Sequence, residues 1–250
     1  MTNITRYFLE LSYKGTAYHG WQVQPNAITV QEVLDKALSI FFRQKVETTG
    51  CGRTDTGVHA TQFFAHFDLL WKGDQNEETV ANSINSLLPF DISVKRIFQT
   101  KPDAHARFDA TLRSYEYHIH FNKDPFLYQR SWLLRDKLDL TAMNQAAGQL
   151  LNYTDFSCFS KSKTQVYTNN CKIVRAEWRT TSNGIAFYIS ADRFLRNMVR
   201  AIVGTMVDMG RGKIAPQDIH NIIQSKNRSN AGASVPACGL YLSSVEYPYI

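Results

Sequence analysis

One glycine-rich stretch, Gly50–Ala60, combines residue types that could perform catalysis. It places Arg53 and Asp55 one residue apart, between glycines that allow unusual backbone angles and the close approach of a ligand. In most such loops an aspartate makes a local turn contact and an arginine is a solvated charge. The stretch lacks the G-x-x-x-x-G-K-[ST] pattern of a phosphate-binding loop. The loop could therefore supply a carboxylate and a guanidinium to a reaction.

The elements that must position this loop alternate between strands and helices. Apolar residues recur at every second position in the predicted strands and along one stripe in the predicted helices, and Thr29 with Glu32 predicts a capping box. In the first half we predict strands at 4–13, 45–49, 62–69 and 92–97 and helices at 30–42 and 77–88. In the second half we predict strands at 112–121, 172–181, 184–191 and 239–246, helices at 141–151 and 194–209, and a short helix from Pro216.

Both halves read β-α-β-β-α-β, which is the ferredoxin-like order. We expect an α+β fold of two such units side by side, residues 1–105 with the aspartate loop and residues 106–250. The sheet would be mainly antiparallel, with helices on one face and the other face left for a ligand. Long connections at 122–137 and 153–170 are of a length that often carries function. The segment 160–163 in the second offers either a phosphate contact or a solvated basic loop.

The composition sets broad limits on function. Apolar residues make up 44% of the chain, which is ample for real cores. The excess of 28 Lys and Arg over 22 Asp and Glu favours a polyanionic partner, although many basic enzymes bind no nucleic acid. No apolar run reaches the roughly 20 residues of a membrane-spanning helix. No secretory signal or C-x-x-C pair is present, so we expect a cytoplasmic protein with reduced thiols.

The loop motif resembles that of a known family. Residues 52–60 read G-R-T-D-T-G-V-H-A, similar to the G-R-T-D-A-G-V-H-A signature of the A-type tRNA pseudouridine synthases, with Thr56 as the single deviation. Further similar blocks follow in the family's order: Tyr13-x-Gly15 with Gly20-Trp21-Gln22, His105-Ala106-Arg107-Phe108 with Arg113-x-Tyr115-x-Tyr117, Phe194-Leu195-x-x-Met198-Val199-Arg200 with Ile202-Val203-Gly204, and Gly239-Leu240-Tyr241-Leu242. The resemblance spans nearly the whole chain.

The resemblance implies an isomerase that needs no cofactor. Such an enzyme breaks the N-glycosidic bond of uridine, turns the uracil within the site, and joins its C5 to the sugar C1′. The family's targets are uridines of the anticodon stem-loop, at tRNA positions 38, 39 and 40, and its members act as homodimers with tRNA bound across both subunits. Asp55 matches the essential carboxylate, either as a nucleophile or as the base that removes a sugar proton.

The same resemblance implies roles for four more residues. Tyr115 would place its ring against the flipped uracil, and Leu240 would pack on the other side of the base. Arg53 would fill the space that the base leaves. Arg200 would pair with Asp55 and keep it charged. From the residues alone, Tyr115 and Leu240 also fit plain core positions of apolar strands.

Arg200 lies one helical turn after Arg196, so we expect both to project from one face of the predicted helix. The family pairs the equivalent of Arg200 with the catalytic aspartate, whereas arginines on a surface helix usually extend into solvent. The role of Arg196 stays open.

Two other functions fit parts of the sequence. A non-catalytic RNA-binding module would use the same sheets without a catalytic carboxylate, and a metal-dependent phosphodiesterase would work through His and Asp. His118 and His120 share a strand face and could supply two ligands, but no third ligand has a suitable spacing, so we expect no catalytic metal. A related synthase with another RNA target remains a third possibility.

Overall fold

The computed structural model describes residues 4–71, 76–161 and 167–250, which form a mixed α+β fold with mainly antiparallel strands. The chain divides into two compact units. Unit 1 comprises Met1–Thr111 and Leu242–Ile250, and unit 2 comprises Leu112–Tyr241. The division therefore falls after Thr111 rather than after residue 105, and the end of the chain returns to the first unit.

Unit 1 has the ferredoxin-like strand order. Its elements are β1 (Thr5–Tyr13), α1 (Val30–Phe42), β2 (Thr49–Gly50), β3 (His59–Leu69), α2 (Glu77–Asn85) and β4 (Ile92–Gln99). The strands are hydrogen-bonded in the order β4-β1-β3-β2, and each pair is antiparallel. At the start of α1 the Thr29 hydroxyl accepts a hydrogen bond from the Glu32 amide at 3.3 Å, which is the Thr29 half of the predicted capping box.

Two predicted elements of unit 1 are wrong in extent. The strand expected at 45–49 is reduced to the two residues of β2, because Thr48 bonds instead to α1: its amide and hydroxyl both donate to the Asp35 carboxylate, at 3.1 and 2.6 Å. The helix expected at 77–88 ends at Asn85, because that side chain pairs with the backbone of Val94 through bonds of 2.8 and 2.7 Å.

The sheet of unit 1 is covered on both faces. The predicted inward residues of β1, such as Leu9 and Leu11, are fully buried. On the opposite face Phe8 is also fully buried, because Tyr247 packs edge-on against it at 5.5 Å between ring centres. The expectation that this face is left for a ligand is therefore wrong for β1: residues near the end of the chain occupy it.

Unit 2 contains β5 (Leu112–His120), β6 (Trp132–Leu133), α3 (Leu140–Gln149), β7 (Ile173–Thr181), β8 (Gly184–Ala191), α4 (Met198–Gly210) and α5 (Ile219–Gln224), followed by the start of β9 (Leu240–Glu246). Strands β5, β8 and β7 are antiparallel neighbours. Strand β6, which the sequence did not predict, lies in the connection 122–137 and pairs with β5 in parallel.

The two faces of the unit 2 sheet differ in character. On one face the Trp178 ring packs 5.0 Å from Phe187, and its indole N–H donates to the sulfur of Met206 on α4 at 3.2 Å. On the other face the Arg175 guanidinium lies over the Tyr188 ring at 4.9 Å. One face is therefore a helix-covered core, and the other is polar. Across the residues that the structure describes, no helix is long and apolar enough to cross a membrane.

Candidate active site

The loop that carries Asp55 runs from Cys51 to Val58, between β2 and β3. Its first residue is fixed by a bond of 2.7 Å from the Cys51 amide to the Phe64 carbonyl. Its far end is a tight turn, in which the Val58 amide donates to the Asp55 carbonyl at 3.1 Å and Gly57 adopts a φ of 78°. Both ends of the loop are thus set by backbone contacts.

The loop lies directly on the segment that follows β1. A Cβ atom on Gly15 would lie 1.9 Å from the Val58 carbonyl oxygen, and one on Gly20 would lie 2.3 Å from the Thr54 carbonyl oxygen. Gly20 also has a φ of 88°, which disfavours any other residue. The Trp21 amide donates to the Thr54 carbonyl at 3.3 Å. These contacts explain why glycines stand in the Tyr13-x-Gly15 and Gly20-Trp21-Gln22 blocks.

Two buried side chains lock the loop beside Asp55. The Thr54 hydroxyl and the Tyr13 hydroxyl share a hydrogen bond of 2.9 Å. The His59 ring is 1% exposed, and its Nδ1 accepts a hydrogen bond from the Gly15 amide at 2.9 Å. This hydrogen bond holds the ring in one orientation. Thr54 and His59, on either side of the turn, are therefore each held in place by a hydrogen bond.

Asp55 itself is half-buried, while Arg53 is exposed. A half-buried carboxylate on a fixed loop can contact a ligand without being sealed from it. The exposed guanidinium can reach outward from the same loop. The structure thus places these two predicted residues on one rigid element of unit 1.

An aromatic cluster packs beside the loop, next to Gly50. The Trp21 ring stacks on Phe63 with 4.1 Å between ring centres, and the Tyr13 ring lies 5.6 Å from Phe63. Gly50 is required here as well, since a Cβ atom would lie 2.5 Å from the Trp21 indole nitrogen. The sequence motifs therefore specify an aromatic cluster beside the loop as well as the carboxylate.

In unit 2, Tyr115 and Tyr117 share one face of β5 but have different surroundings. Tyr117 is fully buried, donates to the Pro236 carbonyl at 2.7 Å, and has its phenol pKa raised by burial. Tyr115 is half-buried and meets Phe194 edge-on at 5.1 Å. Tyr117 is thus a core residue, whereas the Tyr115 ring is braced but still accessible.

Arg200 is half-buried in the first turn of α4, where its Nε donates to the Val235 carbonyl at 2.7 Å. The predicted helix start at residue 194 is wrong, because Asn197 has a φ of 66° and the helix begins at Met198. Arg196 therefore precedes the helix and is exposed, so the two arginines do not share a helical face. The left-handed backbone at Asn197 is the physical reason.

Leu240 is the first residue of β9 and is 6% exposed. It follows Gly239, where a Cβ atom would lie 2.8 Å from both the His118 carbonyl oxygen and the Tyr117 ring. The five predicted side chains therefore fall into two sets. Arg53 and Asp55 stand on the unit 1 loop, and the other three belong to unit 2.

Sequence reasoning missed the residues that hold these side chains. Tyr13, Thr54 and His59 support the loop, and Ser234 and Val235 lie against the start of α4. The first three lie within the sequence motifs, but no rule of spacing assigns their hydrogen-bond partners. The partners come from residues that are distant in the chain.

Other candidate nucleophiles and metal ligands lie in less suitable surroundings than Asp55. Burial raises the pKa of the Cys158 and Cys171 thiols to about 12, so both are protonated near neutral pH. His118 contacts the Glu116 carboxylate at 3.1 Å. In residues 4–71, 76–161 and 167–250, no three His, Cys, Asp or Glu side chains are grouped so as to hold a metal ion. Half of the basic segment 160–163, residues 162 and 163, lies outside the described part of the chain.

Comparisons with known proteins show the family of this chain. The chain belongs to the tRNA pseudouridine synthase family, whose model it matches over residues 11–109 and 146–248. It is 51% identical to a tRNA pseudouridine synthase A of Bacteroides fragilis over 98% of both chains. It is 52% identical to one of Bacteroides thetaiotaomicron, over 97% of this chain and 91% of the relative. Identity to one of Bacillus subtilis is 36%, over 95% of this chain and 97% of the relative.

Proposed function

We propose that this protein converts uridine to pseudouridine in the anticodon stem-loop of tRNA, at positions 38, 39 and 40, with Asp55 as its essential carboxylate. The observation that carries the proposal is the construction of the loop 51–58. Its backbone lies on two glycines and its Thr54 side chain is bound by Tyr13, so the half-buried carboxylate is held in place before any substrate arrives. Such preorganisation is what a catalytic group requires.

The reaction is balanced without any external reagent. The bond between N1 of uracil and C1′ of the sugar breaks, the base turns, and C5 bonds to C1′. The C5 proton is lost to solvent and N1 takes up a proton, so the product is an isomer of the substrate. Asp55 acts through its ionised carboxylate, either by attacking the sugar or by removing a sugar proton. The base must first leave the stack, which costs roughly a few kcal/mol.

The remaining side chains bind and orient the base in this proposal. Tyr115 stacks on the flipped uracil, and such stacking contributes about 1–3 kcal/mol per base. Its edge contact with Phe194 fixes the ring angle. Leu240 packs on the base from its other side, and Arg53 fills the space that the base leaves. Arg200 stabilises the charged form of Asp55, since a nearby cation favours an ionised carboxylate.

The protein acts on tRNA as a homodimer in this proposal. The chain carries a formal net charge of +6, and neutralising phosphates releases condensed counterions from RNA. Two copies would double the charge available to one tRNA. The expected signature is a steep loss of tRNA affinity as salt is raised.

Site mapping tests the target. An unmodified tRNA transcript with uridines at positions 38, 39 and 40 is incubated with the protein, labelled with carbodiimide, and read by primer extension. We expect stops at those uridines. A transcript with cytidine at all three positions is the matched control and should give none. Stops elsewhere in both transcripts would overturn the anticodon assignment, and binding without any stops would favour a non-catalytic RNA-binding protein.

The oligomeric state is tested separately. Light scattering coupled to gel filtration should give about twice the 28.6 kDa of one chain. A mass of one chain at micromolar concentration would contradict the homodimer.

A further inference from the structure

A segment of unit 2 outside the sequence motifs packs along α4. We call Arg228–Pro236 the strap. The Gly232 amide donates to the Thr205 hydroxyl at 2.9 Å, and a Cβ atom on Gly204 would lie 1.8 Å from the Ala233 carbonyl oxygen. The strap therefore lies directly on the backbone of the helix, with two glycines at the crossing.

The strap binds Arg200 at two points. The Arg200 Nε donates to the Val235 carbonyl at 2.7 Å, and the Val235 amide donates to the Arg200 carbonyl at 3.3 Å. Val235 is 5% exposed, so these bonds are shielded from water. A guanidinium held at Nε in this way is restricted in its orientation, because the group is planar and rigid.

One hydroxyl, that of Ser234, fixes the strap at this point. It accepts hydrogen bonds from the Asn197 amide nitrogen Nδ2 at 2.5 Å and from the Arg228 Nη2 at 3.0 Å. Asn197 is the residue whose left-handed backbone precedes α4, and asparagine tolerates that conformation better than most residues. Arg228 also binds the strap itself, through the carbonyls of Ala231 and Gly232 at 3.2 and 3.0 Å.

These contacts lead us to infer that Ser234 is a positioning residue, which acts through Val235 to orient the guanidinium of Arg200. This rests on the proposed function, in which Arg200 stabilises the catalytic carboxylate. Ser234 adjoins Val235 in the chain, so a shift of the hydroxyl moves the carbonyl that holds Nε. Since the Val235 carbonyl links Ser234 to Arg200, we place the role of Ser234 in the chemical step rather than in tRNA binding.

The first test compares Ser234→Ala with Ser234→Thr. Losing one hydrogen-bond acceptor shared by two donors should lower kcat about tenfold and leave KM for tRNA within about twofold. Ser234→Thr keeps the hydroxyl at this half-buried position, so it should retain kcat within about twofold. A purely structural role would lower the thermal midpoint of Ser234→Ala while kcat per active site stayed unchanged, and that result would overturn the inference.

The second test asks whether Asn197 and Ser234 act through the same contact. Asn197→Gly keeps the left-handed backbone but removes one of the two donors to Ser234, so it should lower kcat by no more than Ser234→Ala does. Combining the two should cost no more than Ser234→Ala alone, within about twofold, because Ser234→Ala already removes the bond from Asn197. A multiplied loss of about a hundredfold would show independent effects and overturn the inference.

A spectroscopic measurement separates this inference from the proposed function. The Arg200 Nε–H signal, assigned by its absence in Arg200→Lys, should exchange with solvent faster in Ser234→Ala than in wild type or Ser234→Thr. An unchanged exchange rate would overturn the positioning role whatever the activity. If wild type forms no pseudouridine while the Nε–H signal responds as expected, the proposed function fails and the contact itself stands.

Discussion

The two units share an order of elements but differ in how their sheets are covered. In unit 1 Tyr247 covers part of the second face, at Phe8 and Phe64. In unit 2 the second face presents Tyr188 beneath the arginine side chain of Arg175. A ferredoxin-like order of elements therefore does not determine which sheet faces are buried. In unit 1 the burial of the second face depends on the segment around Tyr247, which packs on the sheet.

The candidate site shows the same contrast. In unit 1 the loop around Asp55 is placed mainly by backbone contacts at Gly15 and Gly20. In unit 2 Arg200 is placed by side-chain hydrogen bonds that converge on Ser234 and Val235. Added side-chain volume should therefore damage the first region, and removed polar atoms should damage the second.

The largest expected effect concerns the covered face. Tyr247→Ala should lower the free energy of unfolding by about 3–5 kcal/mol, since it leaves a cavity against two buried phenylalanines and removes the bond to the Ala106 carbonyl. Tyr188→Ala, on the half-buried polar face of unit 2, should cost less than about 1 kcal/mol. Urea unfolding measures both. Equal losses would remove the contrast between the faces.

The next effect concerns volume added beneath the loop. Gly15→Ala should cost about 3 kcal/mol, because its Cβ would meet the Val58 carbonyl at 1.9 Å and backbone cannot move away as a side chain can. The thermal midpoint should fall by about 6–12 °C. Gly52→Ala is the control in the same loop, since a Cβ there meets nothing within 4 Å. A similar drop in both variants would mean that the loop does not rest on Gly15.

A third prediction concerns the pH dependence of unit 1. Burial raises the pKa of Asp35 to about 6, above that of the unfolded chain, so its contribution to stability is lost as pH rises from about 4 to 6. Asp35→Asn can still accept both bonds from Thr48. It should raise the free energy of unfolding by about 2 kcal/mol at pH 7, and the gain should shrink towards pH 4. A gain that is constant between these pH values in urea unfolding would contradict the assignment.

His66 opposes Asp35 in the same pH range. Burial lowers its pKa to about 4, so its contribution is present above about pH 6.5 and is lost as pH falls towards 4. The acid-induced loss of stability should therefore be steeper in Asp35→Asn than in wild type. In unit 2, by contrast, the ion pair with Lys226 lowers the pKa of Asp155 to about 2, so its contribution to stability is present above about pH 4 and is lost as pH falls from about 4 towards 2.

The smallest expected effect concerns the hydrogen bond beside Asp55. Tyr13→Phe should cost about 1–2 kcal/mol, because it takes one partner from the buried Thr54 hydroxyl. Tyr167→Phe, at a fully exposed tyrosine, is the control and should change nothing measurable. The thermal midpoint and kcat are read together. A kcat that falls while the midpoint is unchanged would indicate that Thr54 orients Asp55 more than it stabilises the fold.

Much of the fold follows from local pattern. The alternation of β1, the stripe of α1 and the cap at Thr29 predicted those elements closely, because burial on one face repeats with the geometry of the element. The loop motif identified Asp55 as the candidate carboxylate by resemblance. It did so because the glycines and the carboxylate are consecutive in the chain.

The remainder depends on contacts between distant residues. The spacing from Phe194 onwards is helical, yet α4 starts at Met198, where Asn197 bonds to Ser234. The length of β2 is set by Asp35 on α1. No local pattern reveals that Tyr247 covers Phe8. Such contacts are decided only when the chain has folded.

The most direct test of the account is the release of C5 tritium from uridine-labelled, unmodified tRNA by wild type, Asp55→Asn and Thr56→Ala, in EDTA. Thr56 is exposed and adjoins the carboxylate, so its variant controls for disturbance of the loop. We expect release by wild type and Thr56→Ala, and none by Asp55→Asn, although Asp55→Asn should bind tRNA as wild type does. Release by Asp55→Asn at the wild-type rate would contradict the account.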